Sequence, residues 1–284
     1  MRFRRVHRMS IRHLLFCLLI AVLTLSGVFA VTASAAASPQ PDNHREKPTI
    51  VLVHGAFADA SGWNGVVQRL ERKGYTVVAP ANPLRGIAYD SAYLHSYLSQ
   101  IAGPILLVGH SYGGAVITNA GYGVKNVMGL VYVSGFAPDK GERLAEVEAG
   151  SKDSVLNTAL VPLNYPVGQD AETAVEYIIN PNLFHSVFAA DLSAQQSALM
   201  AATQRPAAAA AFSEPSGPPA WRTVPSWAVI ATGDKAAGSD VLLAMAHRAG
   251  ARITLLKGSH VIMMSQPKAV ADVILTAAQT NCRR

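Results

Sequence analysis

Pro104-Ile105-Leu106-Leu107-Val108-Gly109-His110-Ser111-Tyr112-Gly113-Gly114-Ala115-Val116-Ile117-Thr118-Asn119-Ala120 is the stretch that decides the fold. Ile105 to Val108 is a short apolar run of strand type. Gly114 to Ala120 offers small residues suited to a helix packed close against a sheet. Between them stands G-x-S-x-G at 109–113. A strand that turns straight into a helix through this pattern is a nucleophile elbow. The turn is tight enough to strain the apex residue, and only small flanking residues avoid a clash, which accounts for Gly109 and Gly113. The strain pushes the Ser111 hydroxyl out at the carboxyl edge of the sheet, within reach of a histidine. The five-residue pattern alone is weakly specific, because at usual Gly and Ser frequencies about one chain in ten of this length carries it by chance. The strand before it and the small-residue helix after it separate this turn from an ordinary glycine-rich one.

Outward from the elbow, apolar runs alternate with helical spacings. Thr49 to His54 and Tyr75 to Ala79 read as strands, with a helix at 63–73 between them (apolar at Trp63, Val66, Val67 and Leu70) that Gly74 stops. Ser91 to Ile101 reads as a helix leading to the elbow strand, and Val127 to Val133 as the strand after the elbow. Strands alternating with helices, most of them apolar throughout, predict a parallel sheet covered on both faces. The rhythm breaks from Phe136 to Trp221, which holds helical stretches, the alanine tract Ala207 to Ala211 and Pro215-Ser216-Gly217-Pro218-Pro219. That is too long for a loop, so 136–221 is expected to be a helical cap, with the alanine tract as one of its helices. The alternation resumes with strands at 226–231 and 252–256, a helix near 241–249 between them, and a last helix from Pro267 to Thr280. The expected core is therefore 49–135 with 222–284.

Half of the 284 residues are hydrophobic, ample for one core with an insertion. The net charge of +6 is misleading, because Arg2, Arg4, Arg5, Arg8 and Arg12 are the only charged residues before Ala35. Without these five, 19 basic residues face 18 acidic ones. Nothing then points to nucleic acid or an acidic partner. The opening has the form of a secretory signal: a basic start, an apolar run from Leu14 to Val31, and the A-x-A site Ala33-Ser34-Ala35. Residues 1–35 are expected to be removed by cleavage after Ala35, leaving a secreted or periplasmic protein with no stable membrane association and a flexible leader at 36–48. After cleavage only Cys282 remains, so no internal disulfide supports the fold.

A serine hydroxyl becomes a useful nucleophile when a base takes its proton and a carboxylate orients that base. Elbow enzymes present these groups in the order serine, acid, histidine. Of nine histidines, His260 in Lys257-Gly258-Ser259-His260 follows the last strand and precedes the last helix, where that base belongs. Asp234 in Thr232-Gly233-Asp234-Lys235 follows the preceding strand and is the expected acid; Asp240 reads as a helix-start residue. An oxyanion needs two preset N–H donors. One is expected from Tyr112, directly after the nucleophile. The other is expected from the loop His54-Gly55-Ala56-Phe57, with Ala56 first and Phe57 second. A substrate pocket is expected from Phe57, Tyr112, Phe136, Met263 and Met264 with the cap aromatics Phe184 and Phe188. No Cys/His metal spacing occurs, and no metal or cofactor is expected.

Val51-Leu52-Val53-His54-Gly55-Ala56, Val108-Gly109-His110-Ser111-Tyr112-Gly113-Gly114, Ala231-Thr232-Gly233-Asp234-Lys235 and Lys257-Gly258-Ser259-His260 occur in that order and span nearly the whole mature chain. In this set the chain resembles the α/β-hydrolase superfamily, and within it the branch of plant methyl-ester esterases and hydroxynitrile lyases with their bacterial relatives. The resemblance implies a triad of Ser111, Asp234 and His260, a mostly parallel six-stranded sheet flanked by helices without the usual first hairpin, and a small helical cap. It departs at Ala236-Ala237-Gly238-Ser239, where relatives often carry an Ile-Pro stretch. The function expected is a serine carboxylesterase acting on small, largely apolar esters. The alternatives are a hydroxynitrile lyase-like or other non-hydrolytic enzyme of this fold, and a non-catalytic ligand-binding member. Lyases resembling this chain carry threonine in place of the H-G-A glycine and lysine after the histidine. Here Gly55 and Val261 stand at those positions, which favours hydrolysis. Oligomeric state and the identity of the ester are not encoded in these motifs.

Overall fold

The computed structural model describes residues 46–168 and 172–281. The expected signal segment with its cleavage site after Ala35, nearly all of the leader, and Cys282 lie outside the described residues. Six strands form one sheet: β1 (Thr49–Val53), β2 (Val77–Val78), β3 (Ile105–His110), β4 (Val127–Val133), β8 (Ser226–Ala231) and β9 (Arg252–Leu256). Their order is β2-β1-β3-β4-β8-β9, with every neighbouring pair parallel. Every residue of β3 and β8 is buried. Parallel strands covered by helices on both faces need no polar alternation. The second strand is shorter than Tyr75 to Ala79 suggests, because only Ile50 and Val51 find partners on it.

The helices are α1 (Asn64–Glu71), α2 (Ile87–Leu98), α3 (Tyr112–Ala120), α4 (Leu144–Ala149), α5 (Pro181–Phe188), α6 (Ala194–Thr203), α7 (Ala210–Ser213), α8 (Ser239–Arg248), α9 (Ile262–Ser265) and α10 (Pro267–Asn281). On the sheet, α1 packs with α10 and α2 with α3. The second helix starts at Ile87, earlier than the apolar spacing suggests. This puts Asp90 in its first turn, where it accepts from the Arg85 and Gly86 N–H groups. The elbow helix α3 is almost wholly buried. A β-carbon at Gly114 would stand 2.5 Å from the Phe136 carbonyl oxygen, so a larger residue there would push the helix off the loop that follows β4.

The insertion at 136–221 differs from the helical cap expected. Besides α4 to α7 it carries a three-stranded antiparallel sheet, β5 (Leu160–Pro166), β6 (Thr173–Ile179) and β7 (Ala207–Ala208). The middle strand holds Thr173, Val175, Ile178 and Ile179, whose branched side chains suit a pleated surface. Pro162 and Pro166 lie on β5, an edge strand, where a missing N–H is tolerated. The alanine tract is also corrected. Ala207 and Ala208 pair with Tyr177 and Glu176, and the Ala208 N–H donates to the Leu84 carbonyl at 2.9 Å. Tertiary hydrogen bonding outweighs the helix propensity of alanine here; only α7, from Ala210, is helical.

Candidate active site

β3 ends in Gly109-His110, and Ser111 stands at the turn with φ 52° and ψ −127°. A side chain other than glycine rarely adopts this backbone, and its persistence marks an over-determined site. The turn is closed by the Ser111 carbonyl, which accepts from the N–H groups of Gly114 at 2.9 Å and Phe136 at 3.1 Å. Gly113 fits because a β-carbon would press on the carbonyls of Val53 and His54 at the end of β1.

The loops after β8 and β9 bring up an imidazole and a carboxylate. His260 Nδ1 lies 2.7 Å from Asp234 Oδ2, and both side chains are almost fully buried. A carboxylate only accepts, so Nδ1 carries the proton and Nε2 keeps its lone pair. The other carboxylate oxygen, Oδ1, accepts from the Ala236 and Ala237 N–H groups, each at 3.0 Å. The sequence at 236–237 that departs from the expected pattern thus acts through its backbone and holds the acid in place. Asp240 lies in the first turn of α8 and accepts from Ser151 Oγ at 2.5 Å and Lys152 N–H at 2.8 Å, fastening the segment after α4.

His110 sits beside this pair. Its Nε2–H donates to the His260 backbone carbonyl at 3.0 Å, and the two rings lie 4.6 Å apart. Burial and then the neighbouring His260 hold its pKa well below the ordinary imidazole value, so it stays neutral and keeps the donor its bond requires. Ser259 bonds to Asp191 of the cap, which secures the same loop from the other side.

The H-G-A turn is fixed by a second histidine. His54 Nδ1 donates to the Gly55 carbonyl at 2.9 Å, while Nε2 accepts the Asn82 N–H at 3.0 Å. The Asn82 side-chain amide donates to the His54 carbonyl at 2.9 Å. Asn82 escaped the sequence reading; its only signal is an isolated polar residue after the second strand. The N–H groups of Ala56, Phe57 and Tyr112 have no protein acceptor among the described residues. Three N–H groups left open around a strained serine offer donors to an anion.

Ser111 and His260 line one small cavity, together with Ala56, Phe57, Phe136, Glu148, Leu156, Phe188, Phe212, Ala236 and Ala237. No hydrogen bond joins Ser111 Oγ to His260 among the described residues. Four residues expected in the pocket lie outside it. The Tyr112 ring is turned away, its hydroxyl donating to Asp90 Oδ2 at 2.7 Å in a fully buried pair. Phe184 packs behind Phe188, with ring centres 5.0 Å apart. Met263 and Met264 line a neighbouring pocket with Met200, Thr203 and Gln204, which shares only Phe57 with the first. In their place the structure brings Glu148, Leu156 and Phe212 to the serine.

A parallel six-stranded sheet with a serine elbow at its centre, and an imidazole–carboxylate pair on the loops after its last two strands, defines the α/β-hydrolase fold. The chain belongs to the alpha/beta hydrolase family, whose model matches residues 50–273. It is similar to a carbendazim hydrolyzing esterase of Nocardioides sp. (strain SG-4G), at 29% identity over 107 residues. That stretch is 33% of this chain and 44% of the relative, so less than half of the relative's length is matched. Among solved structures it is similar to polyneuridine aldehyde esterase, at 21% identity and a TM-score of 0.68 over 81% of this chain and 99% of that one. It is also similar to tomato methylketone synthase I complexed with 2-tridecanone, at 22% identity and a TM-score of 0.67 over 83% and 99%. An extracellular alpha/beta-hydrolase from a Paenibacillus species gives 22% identity and a TM-score of 0.63 over 81% and 98%. At these identities the solved structures share the fold with this chain.

Proposed function

We propose that this protein is a serine carboxylesterase acting on small, largely apolar esters, with Ser111, His260 and Asp234 as its triad. The observation that carries the reading is the 2.7 Å bond from His260 Nδ1 to Asp234 Oδ2, made by an imidazole that lines the same cavity as the strained Ser111. That bond fixes the tautomer in which Nε2 is free to take a proton.

In this mechanism Ser111 Oγ attacks the ester carbonyl carbon while His260 Nε2 takes the hydroxyl proton. The carbonyl oxygen becomes an oxyanion and accepts from the Tyr112 N–H and from Ala56 or Phe57, donors that cost no reorganisation at that moment. The tetrahedral species collapses, the bond to the alcohol oxygen breaks, and His260 returns its proton to the departing alcohol. Water then attacks the acyl-enzyme and gives a proton to His260. The bond to Ser111 Oγ breaks, the acid departs, and Ser111 regains its proton. Asp234 holds the imidazole and stabilises its cationic form throughout. No metal or cofactor enters.

The apolar preference is supported by Phe57, Phe136, Leu156, Phe188 and Phe212 around the serine, and the preference for small esters by the modest cavity. Hydrolysis is favoured over lyase chemistry because the H-G-A loop has no room for threonine. A β-carbon at Gly55 would stand 2.5 Å from Ser111 Cβ. Export, with cleavage after Ala35, is proposed from the opening sequence alone.

A panel of short-chain p-nitrophenyl esters, thioesters, lactones and an aromatic cyanohydrin tests the reading. The expected result is turnover of the esters with an acyl-enzyme burst and no cyanide release. Cyanide release without ester turnover would move the protein to the lyases; binding without any turnover would make it a non-catalytic member.

A further inference from the structure

We propose that Glu148 sets substrate specificity in the Ser111 cavity, which takes esters whose bound half is apolar except for one N–H or O–H donor accepted by the Glu148 carboxyl. The inference rests on the hydrolytic reading above, and the experiment below separates the two.

Glu148 lies on α4 and is only 5% exposed. It lines the cavity among Phe57, Phe136, Leu156, Phe188 and Phe212. A buried carboxyl in apolar surroundings is costly unless its oxygens are partnered. Among the described residues the other buried carboxyls, Asp90 and Asp234, are partnered at both oxygens. Asp90 accepts from Arg85 N–H at Oδ1 and from the Tyr112 hydroxyl at Oδ2. Asp234 accepts from Ala236 and Ala237 at Oδ1 and from His260 at Oδ2. Glu148 accepts from Ser154 Oγ at 3.2 Å through Oε1, its one hydrogen bond among the described residues. No cation pairs with it among the described residues, and Oε2 has no protein partner among them.

The Ser154 contact decides what Oε2 can do. Ser154 has one hydroxyl proton, and the Ala236 carbonyl oxygen lies 2.6 Å from the same Oγ. The Ser154 hydroxyl is thus shared as donor between the Ala236 carbonyl, on the shorter bond, and Glu148 Oε1, which accepts. Burial, with the Asp234 charge adding to it and the Ser154 bond opposing it, pushes Glu148 up to about 7, so the ionised form is present at neutrality and dominant above it. The titratable groups that face it from the neighbouring loops are Asp234 and His260. Ionised, and held at Oε1 by the Ser154 hydroxyl, Glu148 presents Oε2 as an acceptor. The complement is a donor on the substrate, placed in a wall whose other side chains, apart from Ser111 and His260, are apolar. A substrate lacking that donor leaves Oε2 unpaired and desolvated.

The test compares matched esters in both halves of the substrate. One set is p-nitrophenyl butyrate against the 2- and 3-hydroxybutyrates; the other is butyl acetate against the monoacetates of butanediols. Rates are normalised to hydroxide hydrolysis. The wild type is expected to prefer a hydroxylated ester in one set by about tenfold to a hundredfold in kcat/KM. Glu148→Met should reverse that order. Glu148→Gln, whose amide carbonyl still accepts, should keep it. A wild type that hydrolyses the parent esters without preferring any hydroxylated one overturns this inference and leaves the hydrolytic reading standing, and needs no variant to fold. A preference that persists in Glu148→Met overturns it equally. If the wild type hydrolyses no ester of either set, the hydrolytic reading fails first and this inference with it.

Discussion

Gly55 and Ser111 touch across the carboxyl edge of the sheet, with no space between them for a side chain. A β-carbon on Gly55 would lie 2.5 Å from Ser111 Cβ, 3.0 Å from the His110 carbonyl and 3.1 Å from Ser111 Oγ. The first two of these atoms belong to, or stem directly from, the strained elbow backbone, so neither can swing aside. Gly55→Ala should therefore displace the nucleophile and the loop that carries Ala56. A displacement of about 1 Å at a reacting atom costs about a hundredfold in rate, and overpacking of this kind costs about 1 to 3 kcal/mol of stability. Steady-state kinetics and chemical denaturation of the variant read both effects. Wild-type activity in Gly55→Ala would show that the loop relaxes and that the contact does not define the site.

The acid is assigned by two carboxylates that behave differently. Asn at 234 would keep its carbonyl oxygen on the Ala236 and Ala237 N–H groups, which now hold Oδ1. Its amide would then face His260 Nδ1 and force that nitrogen to accept, so that Nε2 carries the proton and cannot take one from Ser111. Asp234→Asn should lower kcat by about 10³ to 10⁴. Asp240→Asn weakens the bonds to Ser151 and Lys152 and should cost about 1 kcal/mol of stability while leaving kcat within a few-fold. Collapse of kcat in Asp240→Asn, with Asp234→Asn active, would reverse the assignment.

Most of what lies along the sheet can be read in the sequence, and most of what lies above it cannot. β4 and β8 occupy the stretches whose apolar character marks them, because burial on both faces leaves a clear pattern, while the edge strand β9 is marked only by Ile253, Leu255 and Leu256. The elbow and the residues after β8 and β9 are placed by local chemistry, so their positions follow once the strands are known. The cap is different. β7 is two alanines held by neighbours distant in sequence, and no local preference announces it. Tyr112 looks like a pocket aromatic beside the nucleophile, yet its ring is claimed by Asp90. Glu148 sits among Glu142, Arg143 and Glu146 and reads as a solvated face. Its one sequence signal is its position four residues after the fully buried Leu144, which puts the two on the same helix face.

Burial of Glu148 also predicts how stability responds to pH. Its carboxyl is pushed up from 4.5 to about 7 in the fold. Below pH 4.5 the group is protonated in both states and the fold bears no penalty. As pH rises through this window the unfolded chain ionises first, so the folded state binds more protons and loses relative stability until the folded group also ionises. Between pH 5 and pH 8 the loss from this one group is on the order of 2 to 3 kcal/mol. Urea denaturation of the wild type and Glu148→Gln at both pH values isolates it, since contributions from histidines and other acids cancel in the difference. The variant should lose less stability than the wild type between pH 5 and pH 8. An equal loss in both proteins would mean that Glu148 titrates as an ordinary exposed glutamate.

The central claim, that Ser111 is the nucleophile, is tested most directly by intact mass after treatment with an alkyl nitrophenyl phosphonate. Phosphonylation transfers one phosphonyl group to the attacking oxygen and releases nitrophenolate, and the adduct does not turn over as an acyl group does. The wild type should gain one phosphonyl group, located by peptide mapping at Ser111, as ester turnover falls to zero in step with labelling. Ser111→Ala, which folds as the wild type does because it loses one oxygen in a tight turn, should take up no label and hydrolyse no ester. Labelling of Ser111→Ala to the same extent, or ester turnover by that variant at the wild-type rate, would contradict the account.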